Sequence, residues 1–159
     1  MIIRPTMLAD WRTLKAIRLA ALRDTPTAFG VPYETAARDP DDRWRTRAAG
    51  SDRAQYLLAF KGEQAVGLVA GLVNEKEEYY LIAMWVHPDH RGGGIAAGLI
   101  EALKERATAR GHVRILLDVA PENLPAAKLY QRQGFVFLPE WEPLESHPHI
   151  SVQKMEWMR

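Results

Sequence analysis

The residues with the clearest chemical reading are Arg91-Gly92-Gly93-Gly94-Ile95-Ala96. They follow a hydrophobic run that reads as a strand, Tyr80 to Val86, and precede an amphipathic run that reads as a helix. Glycines let a backbone approach a ligand closely and adopt unusual dihedral angles. The unpaired N–H groups of a helix's first turn point outward, and the helix dipole favours negative charge there. Strand, glycine turn and helix start therefore make a cradle for an anionic phosphate.

Two phosphate-bearing guests fit this turn. Gly92-x-Gly94-x-x-Ala97 satisfies the dinucleotide fingerprint, and Asp118 ends the next strand, where a ribose-binding acid is expected. Against that guest, His87-Pro88-Asp89-His90-Arg91 separate the strand from the glycines, and too few residues follow for a doubly wound domain. A second motif favours the other guest. Asn123-Leu124-Pro125-Ala126-Ala127-Lys128-Leu129-Tyr130 sets Asn123, Ala126 and Tyr130 three and seven positions apart on one helix face, and Gly134-Phe135 follows.

The elements around these motifs have a readable order. Ile2 to Arg4 suits an edge strand, and Thr6 can cap a helix carrying Trp11, Leu14, Ile17 and Ala21 that ends near Asp24-Thr25-Pro26. Prolines 26, 32 and 40 punctuate the next stretch, where Asp39 to Arg47 reads as a solvated charged face or a short helix. Tyr56 to Phe60, Ala65 to Leu72 and Tyr79 to Val86 form an antiparallel meander. A helix with Ala96, Leu99, Ile100, Leu103 and Ala107 on one face closes at Gly111. Val113 to Val119 alternates as a strand that should run parallel to its predecessor across that helix. A helix over Leu124 to Gln133 is followed by strands at Phe135 to Leu138 and Ile150 to Trp157, with a loop between them.

In this order the residues resemble the GNAT superfamily of acetyl-CoA-dependent N-acetyltransferases. Arg91, Gly94 and Ala96, preceded by Val86-His87-Pro88, match the family's pyrophosphate pattern, and Asn123, Ala126, Leu129, Tyr130, Gly134 and Phe135 match its later motif. The resemblance implies a single domain over residues 1–159 of mixed α/β (α+β) class. Its central sheet would be mostly antiparallel, with a parallel strand pair at the cofactor site and helices on both sides. It also implies acetyl transfer from acetyl-CoA to a primary amine. Arg91 and the backbone N–H groups of Gly92, Gly93, Gly94, Ile95 and Ala96 would hold the pyrophosphate, and the pantetheine arm would run beside Met84, Trp85 and Val86. Asn123 would orient that arm or a water, and Tyr130 would donate to the departing thiolate. The pattern is broken at one place: Leu81, Ile82, Ala83 and Met84 offer no glutamate to deprotonate the amine. Glu77, Glu78, Tyr79, Tyr80, His147 and His149 are the remaining candidates.

Composition limits the alternatives. Lys plus Arg number 21 against 20 Asp plus Glu, so nucleic acid is not an expected partner. No run approaches the ~20 apolar residues of a membrane span, and the start lacks signal-peptide character, which leads to a cytoplasmic expectation. The absence of cysteine excludes a thiolate metal site and a cysteine acetyl-enzyme, so the expected route is direct attack in a ternary complex without metal. The expected partner is a small-molecule amine, selected by Phe29 to Glu34 and Glu140 to His149, where Glu34, Glu140, Glu142 and Glu145 hint at a cationic acceptor. A protein or peptide acceptor and a silent acyl-CoA binder are the alternatives. Family members often dimerise, so a homodimer is compatible.

Overall fold

The computed structural model describes residues 1–159. Seven strands form one sheet in the order β1-β2-β3-β4-β5-β7-β6. They are β1 (Ile2–Pro5), β2 (Ala54–Lys61), β3 (Gln64–Val73), β4 (Tyr79–Val86), β5 (Arg114–Val119), β6 (Val136–Leu144) and β7 (His147–Met158). Every neighbouring pair is antiparallel except β4 and β5. This is the mixed sheet with one parallel pair that the sequence implies. The helices are α1 (Trp11–Asp24), α2 (Tyr33–Ala37), α3 (Asp41–Ala49), α4 (Ile95–Ala109) and α5 (Leu124–Arg132).

Alternation along the strands builds two cores. Leu57 and Ala59 of β2 face the cluster that also holds Leu99, Ile100 and Leu103 of α4 and Tyr130 of α5. Leu58 and Phe60 face the other cluster, with Leu14 and Leu22 of α1 and Trp44 and Ala48 of α3. Both faces of β2 are therefore buried, and its sequence is an unbroken apolar run rather than an alternating one. Burying Leu99, Ile100 and Leu103 at about 2 kcal/mol each fixes α4 on the sheet. Gly67 allows close approach: a Cβ there would lie 3.1 Å from Leu99 and 3.2 Å from Ile95, at the end of α4 nearest the glycine turn.

Three expectations need correction, and one helix start lacks a side-chain cap. Thr6 does not cap α1; its hydroxyl donates to the Ala48 carbonyl at 2.8 Å, tying the end of β1 to α3, and a single 3-10 turn at Leu8–Asp10 leads into α1. The charged stretch Asp39 to Arg47 is not wholly solvated, because α3 turns Trp44 inward. Asn123 stands at the N-cap of α5 but its side chain makes no capping bond. Most of the expected loop at Glu140 to His149 is a β6–β7 hairpin. Pro139 and Pro143 hide β6 from a sequence reading; they are tolerated because β6 is an edge strand.

Candidate active site

The glycine turn is tied down from both sides. Arg91 Nε donates to the Val86 carbonyl at 2.9 Å, and its Nη2 donates to Asp24 Oδ2 at 2.8 Å. The same Asp24 oxygen accepts Trp85 Nε1 at 3.0 Å. Hydrogen bonds from Trp85 first, then from Arg91, hold the Asp24 carboxyl below the usual range. The end of α1, the end of β4 and the start of the turn thus meet on one carboxylate. The Arg91 side chain frames the turn rather than facing outward from it. Nothing local in the sequence marks Asp24, because its partners lie 61 and 67 positions away.

Beyond Arg91 the backbone opens. Gly92 and Gly94 both have φ +82°, and Gly94 is the N-cap of α4. The first helical bond is from the Gly98 N–H to the Gly94 carbonyl. The N–H groups of Gly92, Gly93, Gly94, Ile95, Ala96 and Ala97 have no protein acceptor, and no side chain caps the helix. This run of donors at a positive helix end fits a pyrophosphate without needing added basic side chains.

Next to the turn, β4 is distorted. Its register on β3 passes from Ala70↔Ile82 to Leu68↔Trp85, so Ala83 and Met84 together oppose Val69. Ala83 has φ +59°, a left-handed conformation costing a non-glycine residue about 1–2 kcal/mol. A bulge of this kind re-aims the backbone. The sequence gives no sign of it, since alanine is an ordinary residue for a strand face.

On its other side β4 loses its partner. Tyr80↔Leu116 is the only register pair between β4 and β5, while β5 continues on β7 as far as Val119↔Gln153. The two parallel strands therefore part after Tyr80, and the edge of β4 from Ile82 to Val86 is left without a ladder on that side. Extending the register two residues sets Ile82 and Asp118 across the opening from each other. Met84 is half-buried, whereas the Trp85 and Val86 side chains are in opposite cores, so any contribution of these two to a ligand comes from their backbone.

Tyr130 of α5 is buried in the same core as Leu117 and Val119 of β5. Its ring packs edge-on against Phe135 at 5.9 Å, and burial pushes its hydroxyl well above the usual phenol range. Asn123, at the other end of α5, is exposed with a free side-chain amide.

The candidate bases separate. Glu77 is exposed and pairs with Arg53 at 3.1 Å. Glu78 accepts from Asn74 at 3.0 Å, which holds its carboxyl low, and it lies near Arg114. Tyr79 is buried against His112, and burial raises both its hydroxyl and that of Tyr80. His147 and His149 pack edge-on against each other in β7, with Ser146 Oγ 2.9 Å from His147 Nδ1. Asp118 differs from all of these. Asp118 is itself exposed, and partial desolvation by its surroundings, with Glu142 and Glu140 nearby, raises its carboxyl despite Lys154.

The two segments expected to select the acceptor meet in space. The Ser146 hydroxyl donates to the Phe29 carbonyl at 2.6 Å, and Glu145 lies beside Gly30. Together they roof the face of the sheet opposite α4 and α5. Of the acidic residues in these segments, Glu140 is held by Lys154 at 3.0 Å. No group of three or more His, Asp or Glu side chains is arranged to hold a metal ion, and no helix is long and apolar enough to cross a membrane.

The model of the acetyltransferase (GNAT) family matches residues 16–135 of this chain. The chain belongs to the GNAT acetyltransferase family. The mycothiol acetyltransferase of Streptomyces scabiei is 33% identical to it over 102 residues, which cover 62% of this chain and 32% of that protein. The chain spans less than half the length of the curated relatives it matches. Among solved structures, a GNAT-family acetyltransferase from Streptococcus pneumoniae superposes with a TM-score of 0.83 at 22% identity, covering 99% of this chain and 98% of that one. PaiA N-acetyltransferase from Thermoplasma acidophilum, solved in complex with coenzyme A, gives 0.80 at 16% identity, with the same coverage. At these identities the superpositions speak for the GNAT fold, including its mixed sheet.

Proposed function

We propose that this GNAT chain is a single-domain N-acetyltransferase that moves acetyl from acetyl-CoA to a primary amine by direct attack within a ternary complex. The observation that carries the reading is the parting of β4 from β5 beside a strained bulge and an open N–H cradle. A thioester arm lying along the free edge of β4 would have its carbonyl near the bulged backbone of Ala83 and Met84, where an aimed N–H can polarise it. The pyrophosphate would sit on the N–H groups of Gly92 to Ala96, in the turn that Arg91 frames.

Proton handling falls to two side chains. Asp118, across the opening from Ile82 and with its pKa raised, is the proton acceptor for the incoming ammonium, in place of the carboxylate β4 lacks. Tyr130 steadies the departing sulfur. Coenzyme A's thiol has a pKa near ~8.5, whereas the buried phenol holds its proton more tightly than a free one at ~10. The phenol therefore gives the thiolate a hydrogen bond and keeps its own proton, a narrower role than general acid, while the sulfur takes the second proton that the nitrogen sheds as the adduct collapses to amide and thiol. Asn123, exposed at the start of α5, orients the arm or a water.

A small amine is favoured over a peptide because the Ser146–Phe29 hydrogen bond ties the two acceptor segments to each other. Thermal shift against acetyl-CoA, NAD and NADP tests the donor: stabilisation grows with ligand concentration over Kd. A shift with NAD and none with acetyl-CoA would overturn the reading. An amine panel scored by release of free thiol tests turnover, and binding without turnover would make the chain a silent acyl-CoA binder.

A further inference from the structure

One half-buried cation takes no part in the chemistry above. Arg18 lies midway along α1, its guanidinium stacked 4.7 Å from the centre of the Phe29 ring and close to Tyr56. Its Nη1 is wholly enclosed and has no hydrogen-bond partner. No carboxylate pairs with it, and the charged side chain that acts on it is Arg47, of like sign and already paired with Asp39 at 2.7 Å. A guanidinium carries five N–H donors and stays charged in proteins. Holding such a group half-buried, with one nitrogen enclosed and no counter-charge, is costly, and a well-packed apolar side chain would serve packing better.

Its position relates it to the acceptor. Phe29, on which it stacks, is the residue whose carbonyl Ser146 holds in the roof. Tyr56 packs against the core on the α1–α3 face, and the registers Tyr56↔Ala70 and Ala70↔Ile82 set it in one row with Ile82, immediately before the bulge. Arg18 is therefore under the roof, on the face of the sheet that carries Asp118.

We infer that Arg18 anchors a carboxylate of the acceptor, so that the substrate is an amine bearing an acidic group several bonds from the reacting nitrogen. With Nη1 enclosed, the Nε–Nη2 edge of the fork is the side left for a planar, two-oxygen partner. One uncompensated positive charge matches one carboxylate better than a dianionic phosphate. Strands lie ~4.8 Å apart, so two spacings, from Tyr56 through Ala70 to Ile82 at the near edge of the opening, put amine and carboxylate on the order of 10 Å apart. That span suits an ω-amino acid rather than an α-amino acid. The inference rests on the acetyl-transfer reading for its amine end only.

The test compares 6-aminohexanoate, 6-aminohexanamide and hexylamine as acceptors for the wild type, Arg18→Met and Arg18→Lys. The wild type should prefer the carboxylate over its amide by tenfold or more in kcat/KM, mainly through KM. Arg18→Met should remove that preference while sparing hexylamine, and Arg18→Lys should keep part of it. No carboxylate preference in the wild type, or an equal loss on all three acceptors in Arg18→Met, overturns the inference. A second readout needs no turnover: with coenzyme A present, 6-aminohexanoate should raise the melting temperature of the wild type more than the amide does, and not that of Arg18→Met. If no amine is acetylated, the proposed activity fails while this melt still decides Arg18. Without ligand, Arg18→Met should melt at or above the wild type; a lower melting temperature assigns Arg18 to packing and overturns the inference, and Arg18→Lys supplies the ligand melt should Arg18→Met not fold.

Discussion

Asp24 is the most exacting test of how the glycine turn is held. Asp24→Ala removes the common acceptor of Trp85 Nε1 and Arg91 Nη2. The Arg91–Asp24 pair has side chains 49% and 32% exposed, so its loss is worth ~0–1 kcal/mol. The Trp85 indole is a different matter, because its residue is 6% exposed and a buried donor left unpaired costs ~1–3 kcal/mol. The sum is about 2 kcal/mol, or a drop of roughly 4–8 °C in melting temperature for a domain of this size. Function should suffer separately. With Asp24 gone, Arg91 keeps only the Val86 carbonyl, the turn is less ordered before binding, and the KM for acetyl-CoA should rise about tenfold, equivalent to ~1.4 kcal/mol. Trp85→Phe in the same background sharpens the assay: it removes the orphaned N–H and should recover much of the stability of Asp24→Ala without recovering KM. The pH dependence has a definite sign. The folded carboxyl is held low, so its stabilisation is present above the unfolded pKa and is lost as pH falls through the folded one. If Asp24→Ala melts with the wild type at pH 7 and binds acetyl-CoA equally well, the three-element junction does not hold the turn.

Three further outcomes follow from the site. Tyr130→Phe should lower kcat by about 10²-fold, the effect of losing one donor to developing charge, with little change in melting temperature because the hydroxyl has no protein partner; an unchanged kcat in single-turnover measurements removes its role. Asp118→Asn should lower kcat/KM by ~10²-fold or more and abolish the rise of kcat/KM with pH, a rise set above ordinary carboxylate values by this group's raised pKa. Its stability effect has the opposite sign to that of Asp24: the raised carboxyl favours the fold at low pH and that contribution disappears as pH climbs through the folded value, so Asp118→Asn should be no less stable than the wild type at pH 8. Gly94→Ala and Gly111→Ala both force alanine to positive φ in open space, at about 1–2 kcal/mol each, and only Gly94→Ala should weaken acetyl-CoA binding, since Gly111 lies at the far end of α4.

What could be read from the chain alone was what is encoded locally. The glycine turn, α4 with its stop at Gly111, the parallel step to β5 and the Asn123–Tyr130 helix each depend on residues within a few positions of one another, and all appear where periodicity and glycine place them. The features that shape the proposed chemistry are long-range. Asp24 reaches Trp85 and Arg91, the Ala83 bulge is visible only against β3, and Asp118 gains meaning from where β4 and β5 part. Thr6 failed as a cap for the same reason: the partner it found, Ala48, lies 42 positions on.

The division also explains why the donor half was easier to read than the acceptor half. A pyrophosphate is bound by backbone N–H groups, and glycines that free a backbone show in the sequence as glycines. An acceptor is recognised by side chains that converge from separate elements, here α1, the turn after it, β2, β5 and the β6–β7 hairpin. The Ser146–Phe29 bond joins residues 117 positions apart, and no pattern in either segment foretells the other. Arg18 shows this most clearly. Along α1 it is one of several basic residues. Only the enclosed Nη1, the Phe29 ring beneath it and the missing carboxylate distinguish it, and each of these is a property of the assembled fold.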